Sequence, residues 1–213
     1  MKKAFSVLCA ILIASSMILS AFAAAVESPV VESPKVTQIV AIDVGGNAID
    51  LGIAPGENIA HYVELVSFDA VMAEEKEGTQ FSAVSEAVKK SVKEAAAALE
   101  EMKDLGEVSQ ELAGKEALSV MNVQFSEKIS EALSKGAVVG VKTTLKMIPK
   151  TGAARIPVIR FIDGKWVVSE DEYAEVLEDG TVVLYLKQAG NFTLVVDPED
   201  EIVDEKDLVE ETK

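Results

Sequence analysis

The spacing of apolar and polar residues changes along this chain, and each change of period marks a change of element. The first stretch has no period. Lys2 and Lys3 lead into an apolar run from Ala4 to Leu19, followed by the small residues of Ala21-Phe22-Ala23-Ala24-Ala25. Positive, apolar and A-x-A segments in that order have the form of a secretory signal peptide. The sequence therefore predicts a signal over 1–23, with Ala21, Ala23 and Ala24 forming the cleavage region and the cut after Ala23. Residues 24–35 hold an imperfect repeat, Val26-Glu27-Ser28-Pro29 and Val31-Glu32-Ser33-Pro34, whose prolines favour extended backbone and make this a spacer.

Short strands are predicted next. Val36 to Asp43 is rich in β-branched residues, Gly45-Gly46-Asn47 supplies a turn, and Ala48 to Ile53 reads as a second strand. Tyr62 to Phe68 follows the turn residues Pro55 to Asn58 as a third. The strongest period lies beyond. Phe81, Val84, Val88, Val92, Ala95, Leu99 and Met102 recur at helical spacing and predict one long amphipathic helix at about 80–104. Thr79 or Ser82 is the expected start and Gly106 the expected C-cap, with a shorter helix around Glu107 to Ala113.

The final third alternates with a period of two. Met121, Val123 and Phe125 form one set, and Val141, Thr143, Leu145 and Met147 another. Between them, 130–134 fits either a helical turn or a loop. Asp163-Gly164 and Asp179-Gly180 each sit between two strand-like runs and supply the positive φ of a tight hairpin turn. Regular short strands of this kind suggest an antiparallel sandwich or half-barrel. The expectation is an α+β fold: a small α+β region over 36–115, with short N-terminal strands and the long helix, then a C-terminal antiparallel β-sandwich over 116–197. An acidic tail, 198–213, is expected to be disordered.

Charge narrows the partners. The 213 residues carry a formal net charge of −16, and loss of Lys2 and Lys3 with the signal takes the charge of the remaining 190 residues to −18. Phosphate neutralisation needs clustered Lys and Arg, so nucleic acid is not an expected partner, and neither is an anionic lipid surface. Cys9 is the only cysteine and lies inside the signal, which leaves the exported part without thiol chemistry. No run after the signal approaches the ~20 apolar residues of a membrane span. No cofactor is expected.

Few motifs suggest a reaction. The segment Ala41-Ile42-Asp43-Val44-Gly45-Gly46-Asn47, with Leu51-Gly52 beyond it, resembles the first phosphate-binding hairpin of sugar kinases of the actin-like ATPase group. In that group the aspartate organises metal-bound ATP and the glycines let backbone amides approach phosphate. Here Asn47 replaces the usual threonine and no second phosphate motif follows. His61 is the single histidine and no Gly-x-Ser-x-Gly elbow accompanies it. Asp197 to Glu201 lacks the spacing of a calcium loop, and Asn191-Phe192-Thr193 is read as a chance sequon. Trp166, Tyr173 and Tyr185 are the candidate binding-face residues.

The signal, the Glu-Ser-Pro spacer, the helix around Val88 and the run from Val158 through Asp163-Gly164-Lys165-Trp166 to Val168 are together similar to uncharacterised surface proteins of gut Firmicutes. That resemblance implies a helix ahead of a β-sandwich and an extracellular, non-enzymatic module. The expected function is an exported structural or protein-binding module of the bacterial cell exterior, secreted or at the cell surface, with an extracellular protein or glycan as partner. The alternatives are a secreted carbohydrate- or calcium-binding protein and a carboxylate-dependent hydrolase. An unpaired sheet edge or exposed apolar patch favours partner binding, whereas two acids in a cleft favour the enzyme.

Overall fold

Strands from both ends of the chain interleave in one antiparallel sheet. The computed structural model describes residues 34–43, 45–77, 84–145, 147–149, 155–198 and 202–204. The expected signal with Ala21, Ala23 and Ala24, most of the spacer and nearly all of the acidic tail lie outside these. The strands are β1 (Val36–Ile42), β2 (Ala48–Ile49), β3 (Val63–Ser67), β4 (Glu116–Ala117), β5 (Met121–Phe125), β6 (Val138–Thr143), β7 (Met147–Pro149), β8 (Arg155–Ile162), β9 (Lys165–Val176), β10 (Val182–Leu186), β11 (Gly190–Val196) and β12 (Ile202–Asp204). The helices are α1 (Phe68–Glu77), α2 (Glu86–Glu100) and α3 (Glu127–Ser134). The sheet runs β2-β1-β6-β10-β9-β8-β11-β5-β3, with β4 beside β11, while β7 and β12 pair separately.

This corrects the expected fold. The strands of the final third do not form a sandwich of their own, and among the described residues no 25-residue helix precedes them. Nine strands make a half-barrel in which β1 joins β6, with Ala41 opposite Val139, and β3 joins β5, with Leu65 opposite Val123. The cause is visible in burial. A sandwich strand has one wet face, but six of the seven residues of β11 are buried, on both faces. Its Phe192, Leu194 and Val196 point into the half-barrel, whereas Val195 joins the opposite side, beneath the helices.

Two cores result. The inner core gathers Val139 and Val141 of β6, Val182, Leu184 and Leu186 of β10, Phe192 and Leu194 of β11, and Ile129 of α3. Each fully buried side chain of this size contributes about 1.5–3 kcal/mol relative to exposure. The outer core lies between the sheet and α1 and α2, and holds Val66, Val92, Ala95, Ile159, Trp166 and Val195. Helix α2 spans only 86–100: Ser85 accepts from the Val88 amide as N-cap and Glu101 closes the other end, while the expected starts Thr79 and Ser82 lie outside the described residues. Gly106 is not a C-cap. It lies in a 3-10 turn at Leu105–Glu107, and a second such turn at Gln110–Leu112 replaces the short helix expected there.

The segment that fitted either a turn or a loop is helix α3, which begins after Ser126 and buries Ile129. Among the described residues no helix is long and apolar enough to cross a membrane.

Candidate functional site

Helices α1 and α2 cover the outer surface of β3, β5, β11, β8 and the Trp166 end of β9, and the outer surface of β1, β6, β10 and the Tyr173–Glu175 part of β9 carries two transverse rows of side chains. Register places Val40, Gly140, Tyr185, Tyr173 and Pro157 in one row across five strands. The next row is Gln38, Lys142, Val183, Glu175 and Arg155. Because strand residues alternate faces, every member of a row points the same way.

Aromatic contacts organise the first row. The rings of Tyr173 and Tyr185 stack with centroids 4.6 Å apart and planes inclined by 26°. The Arg155 guanidinium lies 4.3 Å from the Tyr173 ring, from the β8 side, so β9 carries a ring sandwiched between a cation and a second ring. Arg155 also pairs with Glu175 at 3.7 Å. Burial raises the Tyr185 hydroxyl above its ordinary pKa, and the nearby Glu175 charge adds to that. On its far side Tyr185 leans over Gly140, opposite Val40.

Lys142 ties the second row to an anchored turn. Asp179 accepts from the Thr181 hydroxyl and amide, and Lys142 reaches it at 3.2 Å. These bonds, led by the Thr181 hydroxyl, bring the Asp179 carboxyl down to about 2. The turn between β9 and β10 is thereby fixed beside the open face.

Of the three binding-face residues named from sequence, Tyr173 and Tyr185 lie together on this open face. Trp166 does not. It is buried under α2, where its indole N–H donates to the Ala95 carbonyl at 3.3 Å and its ring tilts against Phe161 at 5.3 Å. Arg155, Gly140, Val40 and Pro157 were not singled out from sequence. Their places in the two rows depend on pairing strands up to a hundred residues apart, for which the local pattern holds no signal.

The other candidate chemistries are taken up by structure. Asp43 accepts from the Asn47 amide at 2.8 Å and from its side chain, and the Gly45 and Gly46 amides lower the same carboxyl. Those amides close their own turn on Asp43, so the loop is not arranged to receive phosphate. His61 is exposed in a 3-10 turn, beside Tyr62, whose hydroxyl donates to Glu57. Asn191 of the chance sequon is buried, and its side-chain amide donates to the Ser91 carbonyl and hydroxyl, at 3.0 and 2.7 Å. In an open cleft of about 320 Å³ near Leu99, Met102 and Lys115, Asp104 is occupied by the Gly106 and Gly114 amides. Among the described residues no group of three or more His, Cys, Asp or Glu is placed to hold a metal ion.

The chain matches no protein-family model, no curated protein and no solved structure.

Proposed function

We propose that this chain is an exported, non-enzymatic protein-binding module whose working surface is the open outer face of β1, β6, β10 and β9. The observation that carries the reading is the Arg155-Tyr173-Tyr185 stack on the outer sheet face, away from the Trp166 end of β9 that α2 covers. Tyr and Arg offer large contact area with few rotatable bonds and dominate the energetics of protein interfaces. The signal-like residues 1–23 support the exported location. A flat sugar platform is disfavoured by the same geometry, because Arg155 and Tyr185 flank the two faces of the Tyr173 ring.

The test is binding by the protein recovered from the expressing cell. Envelope and medium components retained by the wild type are compared with those retained by Tyr173→Ala and Tyr185→Ala. Loss of the same retained protein in both variants, with an unchanged circular dichroism spectrum, supports the reading. Equal retention by all three chains, or a cytosolic location of the intact polypeptide on fractionation, overturns it.

A further inference from the structure

The long hairpin of β8 and β9 extends beyond its neighbours and leaves a sheet edge open. Strand β10 pairs with β9 only from Tyr173 to Val176. Past Leu186 the chain leaves that edge and crosses the inner face toward β11, where Arg160 binds the carbonyls of Gln188 and Gly190. Among the described residues no strand pairs with Lys165 to Glu170 on the side away from β8.

The backbone groups on this edge follow from the turn. Asp163 and Gly164 have φ of 50° and 79°, the positive pair of a two-residue type I′ hairpin. Ile162 opposite Lys165 is then a hydrogen-bonded pair, Phe161 opposite Trp166 is not, and the alternation continues to Ile159 opposite Val168. Trp166 and Val168 therefore direct their N–H and C=O groups outward. Among the described residues, three of the four large exposed apolar ones, Ile162, Val167 and Val168, are on this hairpin.

We infer that the free edge of β9 pairs antiparallel with the same edge of a second copy of this chain. A two-fold axis at Val168 sets Val168 against its own counterpart, with Val167 opposite Ser169. The same operation brings Lys165 of each copy beside Glu170 of the other and opposite Asp171, which also pairs with Lys187 of its own chain at 2.6 Å. Charges placed at the two ends of an edge turn away most strands, but this arrangement is complementary to itself when reversed. Burial of the two valines and exchange of the Val168 hydrogen bonds oppose the repulsion of two chains at net −16, whose long-range part is screened at physiological salt. The surface includes neither Tyr173 nor Tyr185, so its failure and that of the open-face reading are separate results.

Sedimentation across a concentration series of the full chain at physiological salt tests the pairing. The wild type is expected to show a reversible monomer–dimer equilibrium. Val168→Pro removes the outward N–H without touching the β8 ladder and is expected to weaken association about tenfold or more. Lys165→Glu is expected to weaken it comparably, and Glu170→Lys in the same chain to restore it. Circular dichroism and the emission of Trp166, the only tryptophan, confirm that each variant is folded. A wild type that remains monomeric throughout overturns the inference, including one that captures an unrelated extended peptide instead. So does a dimer indifferent to Val168→Pro or to Lys165→Glu.

Discussion

Arg160 and Glu172 meet twice across the β8–β9 hairpin, Nε to Oε2 and Nη2 to Oε1, both at 2.6 Å, and each side chain is 1% exposed. The pair sits where β9 bulges: Pro157 faces Tyr173 but Val158 faces Ser169, leaving 170–172 without partners on β8. Glu172 also accepts from the Lys187 amide and the Ser169 hydroxyl, and Arg160 donates to two carbonyls of the 188–190 segment. The bulge, the hairpin and the crossing to β11 are thus tied at one point.

A satisfied buried pair is weak as a source of net stability, but either partner left alone is costly. Glu172→Gln or Arg160→Met is expected to destabilise the fold by about 3–5 kcal/mol. The double change Arg160→Met with Glu172→Leu should cost clearly less than the sum, because it leaves no charge uncompensated. Urea midpoints of the three variants measure this.

The same pair sets an acid limit. Burial raises the Glu172 pKa, but Arg160, the Lys187 amide and Ser169 outweigh it and hold the carboxyl below its ordinary value. An unfolded glutamate takes up its proton near pH ~4.3, before the folded one does. The stabilisation from Glu172 is therefore complete above about pH 5 and is lost as pH falls through the folded pKa. Urea midpoints of the wild type should drop over that range. Those of Glu172→Gln should drop less steeply.

Turns were legible in the sequence because their cause is local. Asp163-Gly164 and Asp179-Gly180 both stand at the predicted hairpins, and the stripe through Val92 and Ala95 does face a core. Strand partners were not legible. Nothing near Val36 says that it ends beside Thr143, and the buried run of β11 reads the same in a sandwich as under a helix. Tyr173 and Tyr185 were visible as residues, yet their stacking depends on which strands become neighbours. Trp166 shows the converse: a tryptophan two residues after a hairpin turn looks presentable until α2 is laid over it.

Trp166 is accordingly a stability residue. Trp166→Phe keeps most of the apolar contact but leaves the Ala95 carbonyl without its side-chain donor, at an expected cost of about 1–3 kcal/mol. In the native protein its emission should be blue-shifted and poorly quenched by acrylamide. Strong quenching in the folded state contradicts the buried placement.

Gly140 gives the sharpest check on the open face. Alanine normally stabilises a strand relative to glycine by about 0.5–1 kcal/mol, since glycine loses more backbone freedom on folding. Here a Cβ would stand 2.7 Å from Val40 Cγ2, and 3.4 and 3.5 Å from Val183 and Tyr185. Valine is stiff about χ1, so the overlap forces Val40 out of its rotamer or moves β1 away from β6. Overpacking of this kind costs about 1–3 kcal/mol, enough to exceed the entropic gain. Gly140→Ala should therefore be destabilising in the wild type. In a Val40→Ala background the overlapping methyl is gone, and the same substitution should become neutral or stabilising. A sign that does not change between the two backgrounds, read from denaturation midpoints, would mean that Val40 does not close over Gly140, and the transverse row would lose its β1 end.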